Sequence, residues 1–516
     1  MNSTSVQKNN LLKSTGDTLK FLFVAEKDSR PIYWLLGVIT LIALVLRLFS
    51  INRPIGYDEA YTFIYFASKH FKYILADYHA PNNHILNSLL IGISYRILGS
   101  HVWIVRLPAL IASVLCVPAV YFAARRFFSL NQALAASAVL AVYPSFVHST
   151  ANGRGYMLVI LFSFVLANIA GVLVKKQTPV SLLAYAIIGA LGFYSIPIFL
   201  YPMAGISLWV AVTHLIGNEP WRQKMSRLAL FLGACIVSGL LTFILYSPVI
   251  IFGTGLDSIL HNEIVQSRSW SYFVESLNPR IVKTWADWTE DLTPSIQYLL
   301  SGGFLVSVFY YRKASNQKLP LQLFLFLAIA ILLVLQRIAP LQRIWMYLEL
   351  FCVVFSVAGL MWVVEITFRK TVGEKIFNGI FPVAALLFVG VFLVSSTVNT
   401  QSAAALADRT VLPEQYAAEY IANHMRPGDV ILAAGPVDML TAYHLKILGV
   451  SYEVFYQRKH PVEFQNALIV LRTRGKFDTP AKVIESYQLP SKLDPSDAEL
   501  LFEYGDLQIY SVQAIQ

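Results

Sequence analysis

Two adjacent carboxylates, Asp58 and Glu59, follow the first long apolar run of the chain. A carboxylate at the surface of a membrane can act as a general base for an acceptor hydroxyl. Neighbouring side chains diverge by about 100° on a helix, so the two are not expected to act as a symmetric pair on one atom. We expect one to do the chemistry and the other to bind the acceptor or fix the loop. The alternative is a helix N-terminus, where acidic residues are favourable after the turn at 54–56.

A second polar group, at 79–84, reads His-Ala-Pro-Asn-Asn-His. These side chains could contact phosphate or sugar, although contact with lipid headgroups is the commoner role. Two histidines near carboxylates could also bind a divalent metal, but their spacing matches no metal motif. We therefore predict no metal ligands and leave open a divalent ion at the acidic pair. The candidate substrate contacts are Tyr57, His79, Asn83 and His84.

Three arginines stand at the ends of apolar runs on the side predicted to be external. Arg154 and Tyr156 occupy a short link between two runs, and Arg337 and Arg343 flank another such link. Cations at a membrane edge often extend to the headgroups. Arginine is also suited to a lipid phosphate, which it can bind through two charge-assisted hydrogen bonds. We predict that Arg154, Arg343, Arg337 and Tyr156 bind the phosphate of a lipid substrate.

The composition indicates which class of protein holds these residues. Of 516 residues, 56% are hydrophobic and only 14% are charged, with a mean hydropathy of +0.58. A soluble protein has about 25% charged residues, so a soluble, disordered or fibrous chain is excluded. The net charge of +10 is first a signal of membrane topology, and nucleic-acid binding is not expected. The three cysteines lie in apolar runs without a CxxC pair, and no disulfide is expected.

About eleven apolar runs approach the roughly 20 residues that a crossing needs. If 83–98 does not cross the membrane, the N-terminus and five basic clusters all lie inside, as the positive-inside rule requires. The clusters are at 125–126, 175–176, 222–227, 312–318 and 369–375. The N-terminal segment 1–31 lacks the apolar core of a signal peptide and is predicted to be cytoplasmic. The predicted spans are 32–50, 102–123, 131–149, 155–174, 180–197, 198–217, 228–251, 295–311, 319–335, 344–366 and 377–398.

The run 83–98 is amphipathic at helical spacing, which favours an interfacial helix at the external surface. The alternative is a short, partly polar spanning helix. One arc contains Asn83, His84, Asn87, Ser88, Ser94 and Tyr95, and the other contains Ile85, Leu86, Leu89, Leu90, Ile93 and Ile97.

The sequence predicts a mainly α fold: a polytopic helix bundle at 32–398, with external loops at 51–101 and 252–294. A small external α/β domain follows at 399–516. Its charges and turn residues indicate a helix at 414–425 and strands at 429–434, 452–456, 467–471 and 507–512. We expect this domain to cap the path of the acceptor.

Four segments resemble the GT-C membrane glycosyltransferases, and are most similar to bacterial relatives of protein O-mannosyltransferases and of the aminoarabinose transferases that modify lipid A. They are YDEAYT at 57–62, HAPNNHILNSLL at 79–90, RLPALIASVLCVPAVYFAARRFF at 106–128 and NGRGYML at 152–158. The third is a packing signature and is assigned no chemistry. The Pro-Asn-Asn-His at 81–84 departs from the Pro-rich aromatic run common in the family, and no luminal β-trefoil insert is present.

The resemblance implies a glycosyltransferase that moves a sugar from a polyprenyl-phosphate donor to an acceptor hydroxyl with inversion. Asp58 matches the acidic loop residue of the family and Glu59 its neighbour, while Arg154 and Arg343 match basic positions near the donor phosphate. The departures favour a lipid or cell-envelope glycan over a protein as acceptor. We expect a multi-pass protein of the inner (plasma) membrane. The alternatives are a transporter or lipid flippase and a non-catalytic scaffold.

Overall fold

The computed structural model describes residues 28, 30–261, 266–338, 340–368, 390, 412–458, 460–489 and 491–515. Within these residues, six helices are long and apolar enough to cross a membrane. A bent pair, Trp270–Thr289 and Pro294–Phe309, is a seventh candidate, with 112° between its halves. The predicted mainly α, polytopic membrane fold with a small C-terminal sheet is confirmed. The six are Arg30–Leu48, Val102–Phe127, Tyr156–Lys175, Pro197–Leu215, Trp221–Phe252 and Gln342–Phe368.

Three other predicted spans form shorter helices, at Leu130–Val142, Pro179–Ser195 and Leu321–Gln336. At 1.5 Å per residue they are about 20–26 Å long, below the ~30 Å thickness of the hydrocarbon core. The predicted span 131–149 is broken at Tyr143, whose ψ of 122° is extended because Pro144 disfavours the α region in the residue before it. The predicted span 377–398 lies outside the described residues, apart from residue 390.

The helices of the membrane region are numbered in chain order. They are α1 Arg30–Leu48, α2 Tyr57–Thr62, α3 Phe71–Ala76, α4 Ile85–Leu98, α5 Val102–Phe127, α6 Leu130–Val142, α7 Pro144–Ser149, α8 Tyr156–Lys175, α9 Pro179–Ser195, α10 Leu200–Leu215, α11 Trp221–Phe252, α12 Leu256–Leu260, α13 Trp270–Thr289, α14 Pro294–Phe309, α15 Tyr311–Ala314, α16 Leu321–Gln336 and α17 Gln342–Phe368.

The chain divides into two compact units that do not follow the order of the sequence. The first unit contains 1–50, 75–87 and 108–401, and the second contains 51–74, 88–107 and 402–516. Residues 51–74 and 88–101 of the first external loop are therefore part of the same unit as the C-terminal domain, whereas residues 75–87 belong to the first unit. The sequence placed this loop with the membrane bundle, because linear order does not show which segments share a core.

The second unit is built on a four-stranded sheet with the order β1-β2-β4-β3. Strands β1 and β2 are parallel, as expected for strands joined through a helix, and the other two pairs are antiparallel. Alternate residues of β1 enter different clusters: Val430 and Leu432 one, Ile431 and Ala433 the other. The elements are α18 Pro413–His424, β1 Asp429–Ala433, α19 Val437–Ile447, β2 Asn466–Arg472, α20 Pro480–Ser486, β3 Glu499–Tyr504 and β4 Leu507–Gln513.

Most of the predicted elements of the C-terminal domain are present, with two differences. The predicted strand 452–456 is wrong: Tyr452–Val454 is a 3₁₀ helix whose first turn is capped by the Ser451 hydroxyl. Only Phe455 forms a bridge to β1. Strand β3, at Glu499–Tyr504, was not predicted, because an edge strand with two glutamates lacks a clear apolar alternation.

Helix α4 occupies the ambiguous run 83–98. Its 14 residues are too short to cross the hydrocarbon core, and its polar residues Asn87 and Ser88 are fully buried in protein. Ile93 and Ile97 on the apolar arc are 41% and 73% exposed. The polar arc therefore packs against protein. Part of the apolar arc is exposed in the described structure and can contact another apolar environment.

Candidate functional site

The acidic pair lies in the first turn of α2, within the second unit. Gly56 precedes the helix in extended conformation, and its N–H donates to the Glu59 carboxylate at 2.8 Å, which satisfies one of the unpaired amide groups of a helix start. The helix continues as a π-helical segment at Phe63–Ala67, a geometry that is often found at functional sites. Asp58 is half-buried and Glu59 is 4% exposed, so the two neighbours have different environments.

Glu59 forms a buried ion pair with Arg106 near the start of α5. The Arg106 Nε donates to Glu59 Oε1 at 2.8 Å and Nη2 donates to Oε2 at 2.6 Å. Arg106 also donates to the carbonyl oxygens of Ile51, Arg53 and Pro54 at 2.7–3.0 Å. These bonds use all five N–H donors of the guanidinium group. The pair ties the start of α5 to the loop that carries Asp58.

Arg106 is a residue whose role sequence reasoning missed. It belongs to the segment 106–128 that was interpreted as packing without chemistry, yet it is 1% exposed and paired. A charge near the start of a 26-residue apolar helix is costly unless it is paired, which is the signal that could have found it. Its partner could not be found this way, because 47 residues separate it from Glu59.

Tyr57 lies at the first position of α2, and its hydroxyl group and the Asp438 carboxylate on α19 both lie close to Gly435. Burial, followed by the Asp438 charge, raises the pKa of the Tyr57 hydroxyl, which therefore remains protonated as a donor. Its ring begins a row with Tyr61 and Tyr65, with centroid separations of 6.4 and 4.5 Å. The predicted role of Tyr57 in substrate binding is not tested by these contacts.

A second cluster of predicted site residues lies in the first unit, where the link before α8 meets the segment before α4. The Gly155 N–H donates to His84 Nδ1 at 3.0 Å, and Arg154 Nη2 lies 3.2 Å from His84 Nε2. Arg154 is 2% and His84 3% exposed. The His84 ring packs edge-on against Tyr156 at 5.4 Å, and the Arg154 guanidinium lies 5.8 Å from the centre of that ring. His84 therefore forms one cluster with Arg154 and Tyr156, which lie about 70 residues further along the chain.

The His84 ring is neutral and its tautomer is fixed. Burial, and then the charges of Arg154 and Arg343, hold the pKa of His84 well below its usual value. Because Nδ1 accepts from Gly155, the neutral ring carries its proton on Nε2. Arg154 Nη2 lies 3.2 Å from Nε2, which places a buried positive charge directly beside the neutral ring. A buried guanidinium group is suited to binding an anion such as a phosphate.

The remaining predicted residues are less tightly held. Asn83 is 1% exposed and donates to the Asp77 carbonyl at 2.7 Å, whereas the His79 Nδ1 lies 2.7 Å from the Asp77 carboxylate in a partly exposed contact. Arg337 ends α16 in a left-handed conformation, and its guanidinium lies 5.5 Å from the centre of the Trp270 ring. Arg343 is exposed on the 3₁₀ turn that begins α17.

No group of three or more His, Cys, Asp or Glu side chains arranged to hold a metal occurs among the described residues. This finding does not test the sequence prediction about metals. The three cysteines are free thiols, at positions 116, 235 and 352.

Comparison with known proteins decides the fold. The crystal structure of ArnT from Cupriavidus metallidurans in the apo state matches with a TM-score of 0.58 and 14% identity, over 94% of this chain and 98% of that one. The same protein bound to undecaprenyl phosphate matches with a TM-score of 0.58 and 15% identity, over 93% and 97%. This chain has the GT-C fold. It is a multi-pass membrane protein.

Two further comparisons are with a protein family and with a second solved protein. Residues 81–252, about one third of the chain, match the family model of dolichyl-phosphate-mannose-protein mannosyltransferases. The apo oligosaccharyltransferase of Archaeoglobus fulgidus matches with a TM-score of 0.50 and 11% identity, over 92% of this chain and 74% of that one. No curated protein sequence matches significantly. The family match contains the His84–Arg154 cluster, but not the acidic pair at 58–59.

Proposed function

We propose that this GT-C protein is a glycosyltransferase that moves a sugar from a polyprenyl-phosphate donor to an acceptor hydroxyl. Transfer occurs with inversion at the external membrane face, and the acceptor is a lipid or a cell-envelope glycan. The fold supports a glycosyltransferase, and the similar ArnT protein has been crystallised with undecaprenyl phosphate. Asp58 takes the proton of the acceptor hydroxyl as its oxygen attacks the anomeric carbon.

The observation that carries this proposal is the buried contact between Arg154 and His84. Arg154 Nη2 lies 3.2 Å from His84 Nε2, and an oxygen of the donor phosphate that approaches this pair would accept from the Arg154 guanidinium group. Arg343 adds a second positive charge that acts on His84. These groups stabilise the negative charge that grows on the departing polyprenyl phosphate. Arg337 has the same predicted role. Its guanidinium group lies over the Trp270 ring, so the structure supports phosphate binding by Arg337 less than by Arg154.

Glu59 is proposed to fix the loop rather than to take the proton. Its two oxygens accept from Arg106 and Gly56 at 2.6–2.8 Å, which holds the carboxylate in place as an acceptor of these bonds. Asp58, the half-buried neighbour, is therefore the better base. Tyr57, His79 and Asn83 remain candidate substrate contacts.

The proposal is tested by native mass spectrometry of protein purified gently from its own membranes. We expect a co-purifying polyprenyl-phosphate sugar in the wild type and its loss in Arg343→Ala. Added undecaprenyl phosphate should bind this variant at least about tenfold more weakly, since a hydrogen bond to a charged group contributes about 1.5–3 kcal/mol. Arg343 is exposed, so its truncation leaves the buried packing intact.

Two further variants complete the design. Arg222→Ala removes an exposed arginine at the start of α11 and should bind undecaprenyl phosphate like the wild type. Arg154→Lys keeps the positive charge but replaces the planar guanidinium group, so weaker binding of undecaprenyl phosphate is expected. Normal binding in both Arg343→Ala and Arg154→Lys would refute the phosphate site. A wild type that neither carries a lipid-linked sugar nor binds undecaprenyl phosphate would favour the transporter hypothesis and a transport assay.

A further inference from the structure

Arg154 lies in a short link, residues 150–155, between α7 and α8. The backbone at Gly153, Arg154 and Gly155 is buried, and the Arg154 N–H donates to the Asn152 carbonyl at 2.7 Å in a tight turn. A buried link outside regular secondary structure needs hydrogen-bond partners from other segments for its peptide groups. The direction of the Arg154 side chain therefore depends on the residues that hold this link.

Asn87 provides one of these partners. It is the third residue of α4 and is fully buried, and its side-chain Nδ2 donates to the Gly153 carbonyl at 2.8 Å. The other amide atom, Oδ1, is buried without a hydrogen-bond partner in the described part of the chain. The polar contact of this buried side chain is thus directed to the link through its donor.

His84 holds the link on the other side of Arg154. The Gly155 N–H donates to His84 Nδ1 at 3.0 Å. His84 and Asn87 are three residues apart at the start of α4, and residues with this spacing lie on the same face of a helix. One turn of chain therefore binds the carbonyl group of the residue before Arg154 and the N–H group of the residue after it.

Gly155 permits the close approach of the link to His84. A Cβ atom at this position would lie 3.1 Å from the His84 Cβ, the Ile196 Cγ1 and the Ser195 carbonyl oxygen. Carbon atoms in favourable contact are about 3.5–4.0 Å apart, so a side chain here would push the link away from His84. The second glycine of the Asn-Gly-Arg-Gly segment therefore has a structural role next to Arg154.

We propose that Asn87 is a positioning residue for Arg154. Its bond to Gly153, together with the bond between Gly155 and His84, directs the buried guanidinium group toward the donor phosphate. This inference rests on the proposed role of Arg154 in phosphate binding. A guanidinium group binds phosphate through a planar set of N–H groups, so its affinity depends on direction as well as on charge. Asn87 acts through the link and does not contact the lipid.

The inference is tested by titrating the full-length protein with undecaprenyl phosphate and measuring the dissociation constant by native mass spectrometry. Asn87→Leu keeps a similar size but removes the donor, and Gly155→Ala adds the Cβ atom. Arg154→Lys and its combination with Asn87→Leu complete a double-variant cycle. Ser94→Ala is the control, because it removes a hydroxyl group of α4 that donates to the Leu90 carbonyl of the same helix at 3.0 Å.

The dissociation constant of Asn87→Leu should rise by about 2- to 10-fold, which corresponds to the loss of one neutral hydrogen bond. Gly155→Ala should also bind more weakly, and Ser94→Ala should bind like the wild type. The double variant should bind no more weakly than Arg154→Lys alone, because the guanidinium group that Asn87 directs is already absent. Binding is measured well below the melting temperature of each variant, which separates a change in affinity from unfolding.

Four outcomes would overturn the inference. Normal binding in Asn87→Leu, with weaker binding in Arg154→Lys, would reject the positioning role and leave the phosphate site intact. Additive losses in the double variant would show that Asn87 acts independently of Arg154. Normal binding in Gly155→Ala would show that the position of the link does not matter, and this variant decides the question if Asn87→Leu does not fold. Normal binding in Arg154→Lys would reject the phosphate role of Arg154, and the positioning role with it.

Discussion

The two regions that carry the predicted site residues are stabilised in opposite ways. Around α2, the buried Glu59 forms an ion pair with Arg106. Around α8, the buried Arg154 lies beside the neutral ring of His84. The first arrangement joins two opposite charges. The second places a positive charge next to a neutral group, which is an arrangement suited to an anion.

This difference separates two kinds of buried polar group. A satisfied ion pair fixes a backbone position and is expected to act on geometry. A buried group of hydrogen-bond donors is expected to bind a ligand, because hydrogen bonds to an anionic acceptor are stronger than those to a neutral one. We therefore expect variants near α2 to affect turnover and stability, and variants near Arg154 to affect affinity for a lipid phosphate.

The largest expected effect, on turnover, is that of Asp58→Asn. If Asp58 is the general base, transfer should fall by about 10²–10⁴-fold, because the amide cannot accept the proton of the acceptor hydroxyl. Transfer assays in membranes measure this, and the melting temperature serves as the control, since Asp58 is only half-buried. Turnover near the wild-type level would remove Asp58 from the base role and leave the lipid-phosphate site to be judged separately.

A large effect on stability is expected for Arg106→Ala. Breaking a buried ion pair costs about 3–5 kcal/mol, because Glu59 would remain as an uncompensated charge. Thermal unfolding in detergent should show the loss. Arg106→Lys keeps the charge but offers three donors in place of five, so an intermediate loss is expected. A melting temperature unchanged in Arg106→Ala would show that the pair does not fix the loop.

The smallest expected effect concerns pH. Burial lowers the pKa of His444 on α19 to about 4, and its Nε2 is buried without a hydrogen-bond partner among the described residues. The unfolded ring gains its proton near pH 6.5, so stability should fall as the pH drops from about 6.5 to 4, by at most about 3 kcal/mol. The melting temperature of His444→Gln should fall less over this pH range than the melting temperature of the wild type, with both proteins measured in parallel. A slope equal to that of the wild type would contradict the assignment.

Sequence reasoning recovered the elements whose signals are local. The predicted apolar runs that lie within the described residues became helices, and α18, β1, β2 and β4 lie close to their predicted positions. It failed where the local pattern was misleading or weak. The strand predicted at 452–456 is replaced by a 3₁₀ turn capped by Ser451, and β3 pairs with β4 although its own pattern is weak.

The candidate site shows a second limit. Residue type and membrane position were enough to select Asp58, Arg154 and His84 as candidates. They were not enough to assign a role to Arg106, whose partner is 47 residues away. An arginine in an apolar helix indicates that a partner is needed, but only the folded chain shows which residue that partner is.

What the sequence determined is the class of molecule: a basic, strongly apolar chain must place its helices in a membrane, because no other solvent satisfies their apolar faces. Its motifs also determined which side chains could do chemistry. The tertiary structure decided to which compact unit each of those side chains belongs. Helix α2 belongs to the unit of the C-terminal domain, and the His84–Arg154 cluster belongs to the unit of the membrane bundle. The physical reason is that burial and charge pairing depend on which segments share a core, and that choice is made in three dimensions.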